Sequence, residues 1–128
     1  MERIECMVVG TGIDVIEVER IKRAAVRELF LQRIFTAQEQ EYYRQCDCNP
    51  QILAGIFAAK EATVKALAAG FSGFSWKDIE ILRDTQGQPY ARLWNSAYQR
   101  MRDLGGNTIH LSISHVKSLA VAQAILEE

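Results

Sequence analysis

Phe57-Ala58-Ala59-Lys60-Glu61-Ala62 lies inside a strongly helical stretch and puts a carboxylate where an apolar side chain is expected. Asn49 is a good N-cap and Pro50 suits the first helical position. From there the stretch runs through Gln51 to Ala68 with few breakers and is expected to end around Gly70. At about 100° per residue, Leu53, Phe57, Val64 and Ala68 form one apolar stripe. Glu61 falls only about 40° from Phe57 on that wheel, so it projects into or beside the buried face. An unpaired buried charge is costly, so Glu61 needs a partner. One candidate is Lys65 at the favourable i,i+4 spacing. The other is a metal ion shared with a second carboxylate.

A second carboxylate is supplied near the N-terminus, in Met7-Val8-Val9-Gly10-Thr11-Gly12-Ile13-Asp14-Val15-Ile16-Glu17. The apolar run predicts a buried strand from about Glu5 to Gly12, and the glycines let backbone approach something closely. Asp14 then sits beside the strand end, before a helix beginning near Glu17. It is either an N-cap or a metal ligand. The glycines form no phosphate loop, because no Gly-Lys-Ser/Thr follows and G-x-G-x-x-G is absent.

Near the C-terminus, Ile109, Leu111 and Ile113 alternate with His110, Ser112 and Ser114, the period of a half-buried strand. A polar link from His115 to Ser118 leads into a second apolar strand, Leu119 to Leu126. His115 is therefore placed at a hairpin tip, exposed and able to bind an anion. No nucleophile elbow surrounds either serine, which excludes a Ser-His-Asp site.

The remaining elements follow from local signals. A helix over Glu17–Gln32 carries Arg20, Arg23 and Arg27 at i, i+3 and i+7, with Glu17, Glu19 and Glu28 interspersed. That face is either a docking surface or an ordinary solvated one. Thr36-Ala37-Gln38-Glu39 is a capping box opening a helix to Gln45. Phe71 to Phe74 reads as a loop. Ile79–Leu82 and Tyr90–Leu93 read as strands around a Gln86-Gly87 turn, and a helix through Ala97–Leu104 stops at Gly105-Gly106. Phe74, Trp76 and Trp94 are candidates for core or subunit contact. The order argues for an α+β class with an antiparallel sheet, in a single domain spanning 1–128.

Composition sets the outer bounds. The 128 residues are 48% hydrophobic and 24% charged, with a net charge of −1, which is ordinary for a globular domain and gives no basic nucleic-acid footprint. No apolar run approaches the roughly 20 residues of a membrane span, and Met1 to Glu5 lacks the form of a signal peptide. Cys6, Cys46 and Cys48 are an odd number of thiols in no zinc-like array. A cytoplasmic setting is expected.

Taken in order, Gly12-Ile13-Asp14-Val15-Ile16-Glu17, Phe35-Thr36-x-x-Glu39, the Phe57–Ala62 stretch with Lys65-Ala66-Leu67, Asp78-Ile79-Glu80-Ile81, Gly87-Gln88-Pro89 and Ser112-Ile113-Ser114-His115 cover nearly the whole chain. In this order and at this length the sequence resembles the holo-[acyl-carrier-protein] synthases, the short 4′-phosphopantetheinyl transferases. The resemblance implies a sheet with a long helix packed on it, and a homotrimer with active sites between subunits. It implies Mg²⁺ (Mn²⁺ as an alternative) held by Asp14 and Glu61. Catalytic roles fall to Asp14, Glu61 and Lys65. Coenzyme A, the substrate, is implied to meet Lys60, Lys65, Gly87, Pro89 and His115. The acceptor is a serine of an apo acyl carrier protein docking on Arg20, Arg23 and Arg27.

The residue types suit that chemistry. Phosphoryl transfer needs positioning and neutralisation of developing charge. Mg²⁺ takes one or two protein carboxylates beside substrate phosphates and waters. The weakly nucleophilic serine needs a base, either Glu61 or a water on the metal. Four departures from the family pattern bear on coenzyme A affinity and carrier choice: Ile56 where an arginine is common, Ala68 and Ala69 in place of a Gly-Thr turn, and Val116 for Ser or Thr. Lys117 is placed to compensate. Two other readings are a coenzyme A or nucleotide-binding module without turnover, and a trimeric scaffold for carrier proteins.

Overall fold

The computed structural model describes residues 5–68 and 73–128. In chain order its elements are β1 (Val8–Glu17), α1 (Val18–Ala24), α2 (Glu28–Ile34), α3 (Ala37–Gln45), α4 (Pro50–Ala66), a 3₁₀ turn (Trp76–Asp78), β2 (Ile79–Arg83), β3 (Pro89–Leu93), α5 (Asn95–Asp103), β4 (Thr108–His115) and β5 (Leu119–Glu127). The α+β class is as expected, but the strands form two sheets. One is β1-β5-β4, the other the ribbon β2-β3, and all pairings are antiparallel.

Alternation along β5 decides how the large sheet is covered. Ala120, Ala122, Ala124 and Leu126 are buried, while the residues between them face the other way. The same face carries Gly12 and Asp14 from β1 and Leu111 and Ile113 from β4, so Asp14, Ala122 and Ile113 share one rung. Helix α4 packs on this face through Ala54, Ala58, Ala59, Ala62 and Ala66. Small residues on both sides bring helix and sheet together. A Cβ on Gly10 would fall onto the Ala66 carbonyl oxygen, and one on Gly12 onto that of Ala62. The close approach expected of these glycines is therefore made to the backbone of α4.

The start of α4 follows its signals: Asn49 Oδ1 accepts the Gln51 N–H at 2.9 Å, and Pro50 is the first helical residue. Such a cap is worth about 1 kcal/mol. The end comes earlier than the expected Gly70. Ala68 takes a left-handed φ of 51°, and Arg100 of α5 donates to the Leu67 and Ala68 carbonyls at 3.0 and 3.3 Å. These are the acceptors a helix C-terminus leaves open. Ala68 is thus a turn residue rather than a helical one. Ala69, Gly70 and the first half of the loop read over Phe71–Phe74 lie outside the described residues.

Two expectations are corrected. Strand β1 does not stop at Gly12; it continues to Glu17, because β5 is long enough to pair with it as far as Leu119. Asp14 is consequently a strand residue, not an N-cap, and the N-cap position is held by Glu17 without a side-chain cap. The single helix over Glu17–Gln32 is two helices meeting at Ala25–Arg27. Continuing the stripe of Val18 and Ile21 would turn Glu28 and Gln32 inward. The apolar residues instead change phase to Phe30, Leu31 and Ile34, and a bend is needed to bury both sets. Arg20 and Arg23 belong to α1, while Arg27 caps α2, so the three share no single helical face.

Thr36 and Glu39 form the expected capping box: Glu39 N–H donates to Thr36 Oγ1 at 3.2 Å, and Thr36 N–H to Glu39 Oε1 at 2.8 Å. The ribbon turns at Asp84–Gln88, where Asp84 Oδ1 accepts two backbone N–H groups and Gly87 has a φ of 83°.

Candidate active site

Gly12 and Asp14 lie two residues apart on one face of β1, so the approach that Gly12 permits also sets Asp14 against α4. There Lys65 Nζ stands 3.2 Å from Asp14 Oδ1 and donates to the Ile13 carbonyl at 2.8 Å. The aspartate side chain is mostly buried, 16% exposed, while the lysine is 52% exposed and open to a ligand. Lys65 therefore pairs with Asp14, not in the first instance with Glu61.

Glu61 precedes Lys65 by about one turn of α4 and is half-buried. Its carboxyl is pushed above the ordinary value, first by loss of solvent and next by the negative charge of Asp14; Lys65 and Arg20 pull it back. Two carboxylates that repel each other beside a lysine form a place where a cation is favoured. Among the described residues, no group of three His, Cys, Asp or Glu side chains stands together. A two-carboxylate donor set matches Mg²⁺, which keeps waters and substrate phosphates as its other ligands. Arg20 is read from the sequence only as a docking residue; its charge also pulls the Glu61 carboxyl down, and it lines a hollow with Ile16 and Phe57.

Lys60 is not part of this cluster. It is fully buried, and its ammonium is spent on Glu39 Oε1 at 2.8 Å and on the carbonyls of Trp76 and Ile79. Burial pushes the Glu39 carboxyl up and the Lys60 ammonium down, while each partner opposes the other's shift. The phosphate contact expected of Lys60 is replaced by a role within the fold. The signal for this was present: a lysine amid a buried helix needs a buried acid, and Glu39 was already placed by its capping box.

Gly87 and Pro89 meet β4. With Gln86, Gln88, Leu111, Ser112 and Ile113 they line an open cleft of about 340 Å³. His115 ends β4, exposed, in register with Ala120. Gln51 at the start of α4 clasps this hairpin by donating to the Val116 carbonyl at 3.1 Å. Ile56, which stands where an arginine is common, is 1% exposed and belongs to the core. Trp76 stacks on Phe57 at 5.3 Å, whereas Trp94 is 44% exposed and donates to Glu80.

The helix-on-sheet arrangement and this site define the class. Residues 10–123 match the 4′-phosphopantetheinyl transferase superfamily. A holo-[acyl-carrier-protein] synthase from Alkaliphilus metalliredigens is 48% identical over 120 residues, covering 93% of this chain and 98% of that protein. The solved holo-(acyl-carrier-protein) synthase of Bacillus anthracis, in complex with CoA (3′,5′-ADP), is 37% identical with a TM-score of 0.79, over 95% of this chain and 98% of that one. That of Neisseria meningitidis is 30% identical with a TM-score of 0.84, over 95% and 100%. The chain belongs to the holo-[acyl-carrier-protein] synthase family of that superfamily.

Proposed function

We propose that this chain transfers 4′-phosphopantetheine from coenzyme A to a serine hydroxyl of an apo acyl carrier protein, leaving adenosine 3′,5′-bisphosphate. The observation that carries the reading is the convergence of Asp14, Glu61 and Lys65 in a chain of this family. A pure binding module has little use for two repelling carboxylates beside an exposed lysine. Asp14 and Glu61 would hold Mg²⁺, which when bound supplies positive charge to the pyrophosphate. Lys65, held by the Ile13 carbonyl, is oriented to add a second cation. The cleft between the Gly87–Pro89 turn and Ser112, with His115 beyond it on the same strand, suits the nucleotide end of coenzyme A.

The carrier would dock at the bend between α1 and α2. Arg23 and Arg27 stand there beside Val26 and Leu29, which are 84% and 74% exposed. Acidic carriers would be steered by the arginines and held by the apolar pair. A homotrimer is supported by the uncovered face of the large sheet, where Ile13 and Val15 are 61% and 60% exposed. Among the described residues no helix is long and apolar enough to cross a membrane, in keeping with a cytoplasmic setting. The test is release of adenosine 3′,5′-bisphosphate from coenzyme A. Release that requires both Mg²⁺ and an apo carrier supports the reading; none with a protein that binds coenzyme A would favour the binding-module alternative.

A further inference from the structure

The ribbon β2-β3 is a sheet of its own, paired to no strand of β1-β5-β4, yet it carries the turn that forms one wall of the cleft. Its seat on the rest of the molecule joins the apolar packing of Ile79 and Ile81 in the core, and of β3 against β4, to a buried polar network. Lys60 of α4 holds the Ile79 carbonyl at the first residue of β2 and the Trp76 carbonyl just before it. Its counter-ion Glu39 accepts the Ile81 N–H at 2.7 Å and, through the capping box, the Thr36 N–H. Thr36 Oγ1 donates to Glu80 at 2.6 Å, and Glu80 accepts from the Trp94 indole at 3.2 Å. One ammonium and one carboxylate thus tie α3, α4 and the 3₁₀ turn to the backbone of β2. Among the described residues no buried side-chain polar atom is left without a partner.

We infer that the Glu39–Lys60 pair is a positioning device for the nucleotide cleft: by fixing β2 against α4 it sets where Gly87 and Pro89 stand relative to Ser112 on β4. The apolar packing of Ile79 and Ile81 is non-directional and would by itself leave the ribbon free to slide. Directed bonds to the Ile79 carbonyl and the Ile81 N–H define its register and height. The pair is fully buried and so closed to a substrate, while Glu61, next to Lys60 in sequence, feels the charge of Asp14 instead. The inference rests on the reading of this cleft as the nucleotide site of the transferase.

The experiment compares the full chain with the double variant Glu39→Gln/Lys60→Met, which removes both charges and keeps an acceptor for the Ile81 N–H. Coenzyme A affinity is measured by calorimetry and steady-state constants with an apo carrier. The expected result is a Kd and KM for coenzyme A raised at least about fivefold, with the carrier KM unchanged and kcat within about twofold. Glu39→Asp, a milder change if the double variant does not fold, is expected to move the same constants in the same direction. Unchanged coenzyme A affinity in a folded variant overturns the inference and leaves the pair a stabiliser of the fold alone. A wild-type chain that binds coenzyme A but transfers nothing would overturn the transferase reading separately, and the Kd comparison would still decide the role of the pair.

Discussion

Asp14 Oδ1 lies 3.2 Å from Lys65 Nζ, joining the middle of β1 to the last turn of α4. This contact gathers the candidate centre, because Glu61 is held about one turn before Lys65 and feels both charges. Loss of either carboxylate should remove the cation site and spare the fold. Asp14→Asn and Glu61→Gln are each expected to lower transfer by about 10²–10³-fold, with far-ultraviolet circular dichroism unchanged. Activity near wild type in either variant would remove the metal-site assignment.

The carboxyl of Glu61 is raised in the folded chain, so the sign of its contribution to stability is fixed. The folded state holds this proton more tightly than the unfolded one. Its contribution is fully present below the ordinary carboxylate value of 4.5 and is lost as pH rises through the raised value. Without divalent metal, Glu61→Gln should melt above wild type at pH 7–8, and the gap should close towards pH 4.5. Added Mg²⁺ should raise the melting temperature of wild type and leave that of the variant unmoved. A variant that melts below wild type at neutral pH would contradict this.

Ala68 bears a left-handed φ after α4. That region costs a residue with a Cβ about 1–2 kcal/mol, against about 0.4–1 kcal/mol of unfolded-chain entropy recovered by replacing glycine. Ala68→Gly is therefore expected to stabilise the chain by about 0.5–1 kcal/mol in urea unfolding. Destabilisation would mean that Arg100 relieves the strain more fully than its two bonds suggest.

Gly12 admits no side chain, since its Cβ position is occupied by the Ala62 carbonyl and crowded by Lys65 Cβ at 2.8 Å. Gly12→Ala should cost about 1–3 kcal/mol or more by overpacking. It should also depress transfer beyond the loss of folded protein, because it pushes α4 from Asp14. Full specific activity in the folded fraction would show that this spacing is not required.

The docking surface proposed at the bend between α1 and α2 is testable independently of the proposed metal site. Arg23→Glu with Arg27→Glu is expected to raise the carrier KM at least about tenfold and leave coenzyme A binding alone. Arg20→Glu should differ by also raising the Glu61 carboxyl, since its charge reaches that group. An unchanged carrier KM in the double variant would place the docking surface elsewhere.

The readable parts of the sequence were those governed by local chemistry. Asn49 and Pro50 opened α4, Thr36 and Glu39 opened α3, alternation marked β4 and an apolar run marked β5. What escaped depended on partners far along the chain. The extension of β1 through Asp14 is set by the length of β5, more than a hundred residues away. The bend at Ala25–Arg27 has no glycine or proline to mark it; only the phase change from Val18 and Ile21 to Phe30, Leu31 and Ile34 shows it. Asp14 and Glu61 were nameable as carboxylates in need of partners, but the choice of Asp14 by Lys65, and the burial of Lys60 against Glu39, required the fold.

The central claim is that the centre built by Asp14, Glu61 and Lys65 transfers phosphopantetheine. Its most direct test is the intact mass of an apo acyl carrier protein after incubation with this chain, coenzyme A and Mg²⁺. The account predicts a gain of one phosphopantetheine, abolished by EDTA and slowed about 10²–10³-fold by Glu61→Gln. An unmodified carrier, or a gain at the wild-type rate in Glu61→Gln, would contradict it.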